Sequence, residues 1–371
     1  MYRTDQRIVV TLDAGGTNLV FGAMRGCEFI TTPISYPSNA HDLNLCLATI
    51  VKGFREVIES LDEKPVAISF AFPGPADYPN GIIGGYLPNF PSFRDGVALG
   101  PYLEREFGIP VYINNDGDLF AYGEALCGAL PSINHRLKAS GCAKQFHNLI
   151  GYTFGTGFGV GIVVDGKLNR GDNSCVETFC LPHKTKHGVM VEEGVSIRAI
   201  KRVYRELSGD DRAELTPKDI CEIAEGKHEG NAEAAKRAFE EMGETAGHAM
   251  ALAASLIDGI IVIGGGLTGA RHLMIDAIMK ELRDSVSTLD GAKVKCVQPE
   301  VFYLEDQEEF EKFSAGDRQT IYIPGTDIPV VYDPMKRIGV MFSEIGASKA
   351  VSVGAYAFAL SELDSKSNEE E

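Results

Sequence analysis

The sequence lacks any apolar run long enough to span a lipid bilayer. It also lacks an excess of positive charge, since 35 lysines and arginines face 52 aspartates and glutamates, for a net charge of −17. Nucleic acid and anionic membrane surfaces repel such a chain, so neither is an expected partner. A small anion such as ATP stays compatible, because backbone N–H groups of glycine-rich turns bind phosphate whatever the net charge.

Cysteine is present but follows no disulfide framework. The eight cysteines are mostly scattered and lie in apolar context, and the polar opening segment MYRTDQ gives no sign of a secretory signal peptide. We therefore expect a cytoplasmic protein whose cysteines are free, buried thiols.

The order of the remaining patterns indicates an α/β fold. Three strands over 7–35 precede a helix near 40–61, and further strands and helices alternate up to about residue 130. A second strand–glycine turn–strand pattern begins near residue 148 and resembles the opening one. Two such hairpins about 140 residues apart indicate a duplicated fold unit.

The first glycine turn follows an apolar strand and comprises Asp13, Gly15, Gly16, Thr17 and Asn18. Glycines without a Cβ let backbone N–H groups approach a phosphate, and Thr17 adds a hydroxyl donor. Asp13 ends the strand, where its carboxylate could hold Mg²⁺ through water. An ordinary hairpin, in which the glycines only satisfy the turn geometry, explains this stretch equally well.

A second turn of the same kind favours the phosphate interpretation. Gly155, Thr156 and Gly157 form it, and two facing glycine-rich hairpins could grip one polyphosphate. A third turn, Gly264 to Gly266, ends an apolar strand, and we expect adenosine to pack against Gly265 and Gly266. The alternative for this third turn is a glycine that only packs a helix.

Asp116 ends the strand "PVYINND" and begins a helix. A carboxylate in this place could accept the proton of an attacking hydroxyl, as phosphoryl transfer to an alcohol requires. Taken alone, the stretch is more typical of an aspartate that is the N-cap of the helix.

Six motifs, in this order, resemble the ROK family of sugar kinases and sugar-responsive repressors: "DAGGTN", "PGP" at 73–75, "NND", "GTGFG", "VIGGGL" and "SVGAYAFAL". The resemblance covers residues 7 to about 360. It implies an α/β architecture of two ribonuclease H-like lobes (the actin-like ATPase fold) around a central cleft. We place the N-terminal lobe at 1–116 plus 355–371 and the C-terminal lobe at 117–354.

The resemblance also implies the roles of individual residues. Asp116 matches the catalytic base, and the sugar ligands would be Asn89, Asn115, Glu177 and Glu192. Glu177 matches the glutamate of an E-x-G-H motif, and Glu192 matches a glutamate four residues before Ser196. Carboxylates and amides suit a polyhydroxylated ligand because each can pair with adjacent hydroxyls.

The chain departs from the family at the zinc site, since the cysteine cluster C-x-C-G-x-x-G-C is missing. Cys180 stands at the position of the E-x-G-H histidine. Cys175, Cys180, His183 and His187 lie within 13 residues and could bind zinc tetrahedrally, although their spacing is not a standard one.

We therefore expect an ATP- and Mg²⁺-dependent kinase of a glucose-like hexose, which would form a homodimer if it follows its family. One alternative is a sugar-sensing transcriptional regulator, but only about a dozen residues precede Asp13, too few for a helix-turn-helix domain. Another alternative is a sugar-binding relative without catalytic activity.

Overall fold

The structure, a computed structural model, describes residues 2–74 and 76–370, with side chains described as far as residue 367. Pro75, the last residue of the "PGP" motif, lies outside the described residues. The chain forms two compact units. The first unit is Met1–Pro131, Gly161–Val176 and Glu344–Glu371, and the second is Ser132–Val160 and Glu177–Ser343. Residues 117–131, 161–176 and 344–354 thus belong to the first unit, whereas the predicted lobes put them in the second; the lobe boundaries stay a prediction.

The strands, in chain order, are β1 (Val9–Ala14), β2 (Asn18–Arg25), β3 (Glu28–Phe29), β4 (Ile34–Pro37), β5 (Ala67–Ala71), β6 (Ala76–Asp77), β7 (Ile82–Ile83), β8 (Val97–Ala98), β9 (Val111–Asn114), β10 (Leu149–Phe154), β11 (Phe158–Val164), β12 (Lys167–Leu168), β13 (Ile260–Gly264), β14 (Ser285–Ser287), β15 (Lys293–Lys295), β16 (Glu300–Tyr303), β17 (Gln319–Tyr322), β18 (Pro329–Tyr332) and β19 (Arg337–Phe342).

The α-helices are α1 (Leu43–Glu59), α2 (Leu99–Phe107), α3 (Asp116–Leu126), α4 (Ala129–Ala139), α5 (Ile197–Ser208), α6 (Pro217–Ala224), α7 (Ala232–Ile257), α8 (Ile275–Leu282), α9 (Gln307–Ala315) and α10 (Ala347–Glu370). Short 3-10 segments lie at Tyr2–Thr4, Tyr78–Asn80, Pro91–Phe93, Val191–Glu193 and Gly266–Leu273.

The two large sheets repeat one topology. In the first, β2 pairs antiparallel with β1, β1 pairs parallel with β5, and β5 pairs parallel with β9. In the second, β11 neighbours β10, β10 pairs parallel with β13, and β13 pairs parallel with β19. Each sheet thus begins with a hairpin that carries a glycine turn, followed by two parallel strands. The duplicated α/β unit expected from the sequence is confirmed.

Helix α1 covers the first sheet with one apolar face. Asp42 caps it by accepting a hydrogen bond from the N–H of Leu45 at 3.0 Å. Ile50, Phe54 and Val57 follow at helical spacing and are completely buried, in the same core cluster as the apolar residues of β1, β2 and β5. This core supports the strand ends where the candidate site residues lie.

Helices α3 and α10 pack closely because glycines allow it. A Cβ on Gly354 would collide with the carbonyl of Leu119, and a Cβ on Gly123 would collide with the carbonyl of Ala350. The motif "SVGAYAFAL" thus holds α3, the helix that Asp116 begins, against α10, which itself packs on β1 and β5 of the first sheet. Substitution of either glycine would push α3 away from its neighbour.

The expectation of eight free, buried thiols is wrong in two respects. Cys27 and Cys127, with Cα atoms 6.8 Å apart, form a disulfide in the first unit. Their sequence separation of 100 residues gives no spacing signal from which the pair could be predicted. Among the remaining cysteines, Cys175 and Cys180 are exposed.

The region 297–345 includes part of the core of the second unit. Strand β19 is buried at every residue and lies between β13 and β16 in the large sheet. Only β17 and β18 project as a separate two-stranded sheet. Within the part of the chain that the structure describes, no helix is both long and apolar enough to cross a bilayer.

Candidate active site

The first glycine turn joins β1 to β2. The N–H of Gly15 donates a hydrogen bond to the carbonyl of Asn18 at 3.0 Å, and Asp13 pairs in register with Val20. Asp13, Gly15, Gly16, Thr17 and Asn18 are all exposed, so solutes can reach the turn. The structure thus brings the predicted phosphate ligands of the first unit together in one accessible bend.

Neutral side chains support this turn. The Ser38 hydroxyl donates to the carbonyl of Gly16, and the Ser38 N–H donates to the carbonyl of Thr17 at 2.9 Å. A Cβ added to Gly16 would lie 3.1 Å from the Cβ of Asn89. Asn89, a predicted sugar ligand, therefore lies against a predicted phosphate ligand, and Ser38 is a supporting residue that the sequence analysis missed.

Asp116 begins α3, but it is not the cap of that helix. The N-cap is Asn115, whose side-chain oxygen accepts a hydrogen bond from the N–H of Gly117 at 2.7 Å. Asp116 accepts from the same N–H at 3.0 Å. The capping role that the sequence left open for Asp116 thus belongs to Asn115, whose amide nitrogen is not used by the cap.

The Asp116 carboxyl combines accessibility with poor solvation. Its side chain is exposed, yet desolvation by the surrounding protein raises its pKa, and the negative charge of Asp13 adds to the increase. Desolvation also raises the pKa of Asp13. A carboxylate with a raised pKa that a solute can reach has the properties required of a general base.

A third carboxyl group, that of Asp118, lies two residues after Asp116 in α3. It is 6% exposed, and burial raises its pKa to about 7, with Arg170 opposing the shift and Asp116 adding to it. The Arg170 guanidinium donates to the side-chain oxygen of Asn114 at 3.0 Å. No motif of the sequence assigned a role to Asp118, and Arg170, 54 residues beyond Asp116, carries no local signal.

The second glycine turn joins β10 to β11. The N–H of Gly155 donates to the carbonyl of Gly157 at 3.1 Å. A Cβ added to Gly155 would meet nothing within 4 Å, whereas one added to Gly157 would lie 2.7 Å from a carboxylate oxygen of Glu192. Thr156, between them, is exposed. The turn is therefore open at Gly155 and supported at Gly157.

Charged groups provide that support. Oε2 of Glu192 accepts from the N–H of Phe158 at 3.0 Å, and Oε1 accepts from Nη2 of Arg198 at 2.8 Å. Nη1 of Arg198 donates to the carbonyl of Thr156 at 3.3 Å. Glu192, predicted to bind sugar, thus also braces the second turn. Arg198 was missed, although its place six residues after Glu192, at the start of a helix, was a possible signal.

Gly265 and Gly266 differ in their surroundings. Gly265 has φ +98°, and its Cβ would collide with the backbone of Phe154 at the end of β10. A Cβ on Gly266 would meet nothing within 4 Å. Protein packing therefore explains the glycine at 265, while Gly266 borders open space in which a ligand could lie.

The segment around Glu177 does not assemble the zinc site considered above. Glu177 is partly buried in the second unit. Nδ1 of His183 accepts hydrogen bonds from the N–H groups of Thr185 and Lys186 at 3.2 and 3.3 Å, so its lone pair is engaged. Among described residues, the groups able to share a metal ion do not include these cysteines and histidines; they are Cys221, Glu225 and His272, and Asp219, Glu222 and His228.

A cavity of about 460 Å³ lies beside α5 in the second unit. Its lining mixes basic residues (Arg198, Lys201, Arg202, Arg205 and Arg212) with acidic ones (Glu193, Asp210 and Asp211). Arg198, Arg202 and Arg212 form ion pairs with neighbouring carboxylates, so much of the positive charge at this cavity is compensated. Arg198 links this cavity to the second glycine turn through Thr156.

Comparisons with known proteins agree with these features. The model of the ROK family matches residues 9–308. A crystal structure of a glucokinase from Parabacteroides distasonis is 55% identical, with a TM-score of 0.89 over 97% of this chain and 99% of that one. A curated glucokinase from Streptomyces coelicolor is 26% identical over 301 residues, which are 74% of this chain and 87% of that protein.

A more distant structure shares the fold. It is a ROK family glucokinase from Streptomyces griseus in complex with glucose and AMPPNP, 19% identical, with a TM-score of 0.59 over 94% of this chain and 98% of that one. The predicted fold class is thereby confirmed: each compact unit is built on the duplicated α/β unit of the actin-like ATPase fold. By the family match and the likeness to glucokinases, this chain belongs to the ROK family and is a glucokinase-like member of it.

Proposed function

We propose that this protein is an ATP-dependent hexose kinase that acts on a glucose-like sugar, with Asp116 as the general base. The observation that carries this proposal is the Asp116 carboxyl, which is exposed at the start of α3 while desolvation and Asp13 raise its pKa. A general base works best when its pKa is raised towards the working pH.

ATP is the proposed phosphate donor because two turns of bare backbone fit its phosphates. Gly155 and Gly266 border open space, and the first turn is exposed throughout. The Streptomyces griseus glucokinase structure, which contains an ATP analogue, supports the same donor. The residues proposed to bind ATP are Asp13, Gly15, Gly16, Thr17, Asn18, Gly155, Thr156, Gly157, Gly265 and Gly266.

Mg²⁺ is the proposed metal, held by Asp13 through water. Asp13 suits a hydrated divalent cation because it is exposed and forms no salt bridge among the described residues. When bound, Mg²⁺ would neutralise charge that develops on the phosphates.

The sugar is proposed to bind to Asn89, Asn115, Asp116, Glu177 and Glu192. Asn115 keeps its amide nitrogen for a hydroxyl after its oxygen has capped α3. Asn89 is exposed beside Gly16, which brings a sugar contact next to a phosphate contact within the first unit. The mixture of amides and carboxylates fits vicinal hydroxyls, each of which both donates and accepts.

In the proposed reaction the sugar hydroxyl transfers its proton to Asp116 while its oxygen attacks the γ-phosphorus of ATP, and ADP leaves. Backbone N–H groups of the turns other than those of Gly15 and Gly155, which donate within the turns, stabilise the charge on the phosphate oxygens. Asn115 and Asn89 orient the hydroxyl. We also keep the predictions of a cytoplasmic location and a homodimer as part of this proposal.

A coupled assay of ADP release over a panel of hexoses and N-acetylhexosamines tests the proposal. We expect saturable ADP release with ATP, Mg²⁺ and one or a few hexoses, glucose among them, and background rates without sugar. A thermal-shift screen on the same panel should show stabilisation by the same sugars, because a ligand that binds only the folded state raises the melting temperature. Stabilisation by a sugar without any ADP release would favour a sugar-binding relative that lacks catalysis.

A further inference from the structure

A hairpin arm, defined here as residues 319–332, is the least covered part of the second unit. It consists of β17, β18 and the turn between them, with Thr320 opposite Val331 and Ile321 opposite Val330. Among the described residues no further strand joins this two-stranded sheet. Isolated two-stranded hairpins are at best marginally stable in water, so this arm needs support from elsewhere.

The base of the arm is firmly anchored. Asp333 accepts hydrogen bonds from the N–H of Asp317 at 3.1 Å and from Nη1 of Arg337 at 2.6 Å. Arg337 is only 2% exposed, so the anchor reaches into the core of the unit. Arg318 adds a hydrogen bond to the carbonyl of Gly141 at 3.0 Å. The arm therefore projects from a rigid base.

The tip of the arm is ordered as well. The N–H and the hydroxyl of Thr326 both donate to the carbonyl of Ile323 at 3.0 Å, and the hydroxyl accepts from the N–H of Ile328 at 3.2 Å. Gly325 supplies the positive φ, +80°, that this bend requires. A structured tip and an anchored base indicate an arm that presents a defined surface.

That surface is apolar on both of its faces. Seven of the twenty exposed large hydrophobic residues in the described chain lie on this arm: Ile321, Tyr322, Ile323, Ile328, Val330, Val331 and Tyr332. Opposite residues of an antiparallel pair share a face, so Val331 lies on one face while Ile321 and Val330 lie on the other. Neither face is covered by the rest of the unit.

Charge is almost absent from the arm. Neither β17 nor β18 contains a charged residue, and Asp327 in the turn is the one charged side chain between Gln319 and Tyr332. Proteins usually protect strand edges with charged residues, particularly lysine. An uncharged edge that bears seven apolar side chains is therefore suited to pairing, and unsuited to permanent exposure.

We propose that the hairpin arm is the contact surface for a second copy of this chain, with the arms of two protomers packing reciprocally. Two chains of net charge −17 repel each other, so an uncharged surface is where they can meet at the lowest electrostatic cost. The seven side chains are 41% to 73% exposed in the single chain, so their apolar surface is available for burial by a partner. A closed two-fold contact also leaves fewer free strand edges.

The same charge argument disfavours other occupants. A strongly basic partner would be drawn to the acidic remainder of the surface rather than to this neutral arm. An anionic membrane would repel the chain as a whole. The proposal concerns assembly and does not depend on the proposed kinase activity.

The experiment compares masses of the full-length chain by size-exclusion chromatography with light scattering, at micromolar concentrations. We expect wild type at twice the chain mass of 40.1 kDa. Val331→Lys and Tyr322→Lys should reduce the mass to that of one chain, because each would place charge in the contact. Both positions are exposed in the single chain, at 73% and 60%, so neither substitution should disturb folding.

Leu256→Lys is the matched control. Leu256 is an 85% exposed apolar residue of the same unit but lies at the end of α7, so this variant should remain a dimer. Circular dichroism verifies that all variants are folded. A monomeric wild type, or arm variants that remain dimeric, would overturn the proposal. A monomeric wild type that sediments with lipid vesicles would assign the arm to a membrane instead.

Discussion

The two glycine turns share a backbone design but differ in what supports them. In the first turn the neighbours are neutral, since Ser38 holds two carbonyl groups and Asn89 lies against Gly16. In the second turn the neighbours are an ion pair, since Glu192 binds the turn and Arg198 binds Glu192. Each turn is nevertheless supported by a predicted sugar ligand.

The carboxyl groups of the two units differ in a corresponding way. In the first unit Asp13 and Asp116 have raised pKa values and make no ion pair among the described residues. In the second unit Glu192 is neutralised by Arg198 at 2.8 Å. Proton transfer needs a carboxyl group with a raised pKa and no ion-pair partner, whereas a stable support needs a carboxylate held in an ion pair. We therefore infer that the chemistry belongs to the first unit.

The largest effect concerns the glycine behind the second turn. Gly265→Ala forces an alanine to adopt a positive φ. It also places a Cβ against the backbone of Phe154, the residue before Gly155. We expect a loss of about 3 kcal/mol in the free energy of unfolding, from backbone strain and overpacking together. Urea denaturation measures it. Gly266→Ala, with open space around its Cβ, is the control and should change stability little; equal losses in both variants would refute the packing role of Gly265.

Asp118 gives a pH-dependent effect in the first unit. Its folded-state pKa of about 7 lies above its unfolded value, so the folded state binds more protons and stability decreases as the pH rises from about 4 to 7. Asp118→Asn should remove that decrease and be more stable than wild type at pH 8, where the wild-type protein has to keep a buried carboxylate charged. Urea denaturation at pH 5 and pH 8 measures both. A variant with the same pH dependence as wild type would show that Asp118 does not titrate in this range.

The supports of the two turns can be compared directly by kinetics. Gly157→Ala pushes the Glu192 carboxylate away from the N–H of Phe158, whereas Gly16→Ala displaces the neutral Asn89 side chain. Hydrogen bonds to charged groups contribute about 1.5–3 kcal/mol, so Gly157→Ala should raise the KM for ATP roughly tenfold. We expect a smaller increase, about threefold, for Gly16→Ala, since the added Cβ meets the Cβ of Asn89 in a steric contact and breaks no hydrogen bond to a charged group. Similar increases in both variants would contradict the difference between the supports.

Arg198 should have the smallest effect. Its side chain is 45% exposed, and exposed ion pairs contribute little because water screens them. We expect Arg198→Ala to raise the KM for ATP about twofold to threefold, in line with a loss below about 1 kcal/mol. Arg212→Ala removes another exposed ion pair of the same unit, with Asp210, and serves as the control. An unchanged KM in Arg198→Ala would show that Glu192 braces the turn alone.

The sequence was sufficient for the fold class and for the backbone of both turns. Glycine, threonine and aspartate at strand ends are local signals, and the repeated hairpin pattern in the sequence indicates the duplicated unit. The helix cap was ambiguous from sequence, because Asn115 and Asp116 are both good N-cap residues and only the backbone decides between them.

Contacts between distant segments could not be predicted. Ser38 and Asn89 reach the first turn from loops 20 and more residues away, and Arg170 reaches Asn114 across 56 residues. The disulfide partners Cys27 and Cys127 are likewise far apart in the sequence, with a separation of 100 residues. No local pattern encodes such pairs, because their proximity depends on how strands and helices pack.

The most direct test of the central claim compares Asp116→Asn with wild type in phosphoryl transfer and in sugar binding. The variant keeps the shape of the side chain and its acceptor for the N–H of Gly117, but it cannot take a proton at neutral pH. We expect kcat to fall by about 10²–10⁴-fold, the range for loss of a general base, while the dissociation constant for the sugar changes little. A variant with a wild-type kcat would contradict the assignment of Asp116 as the base.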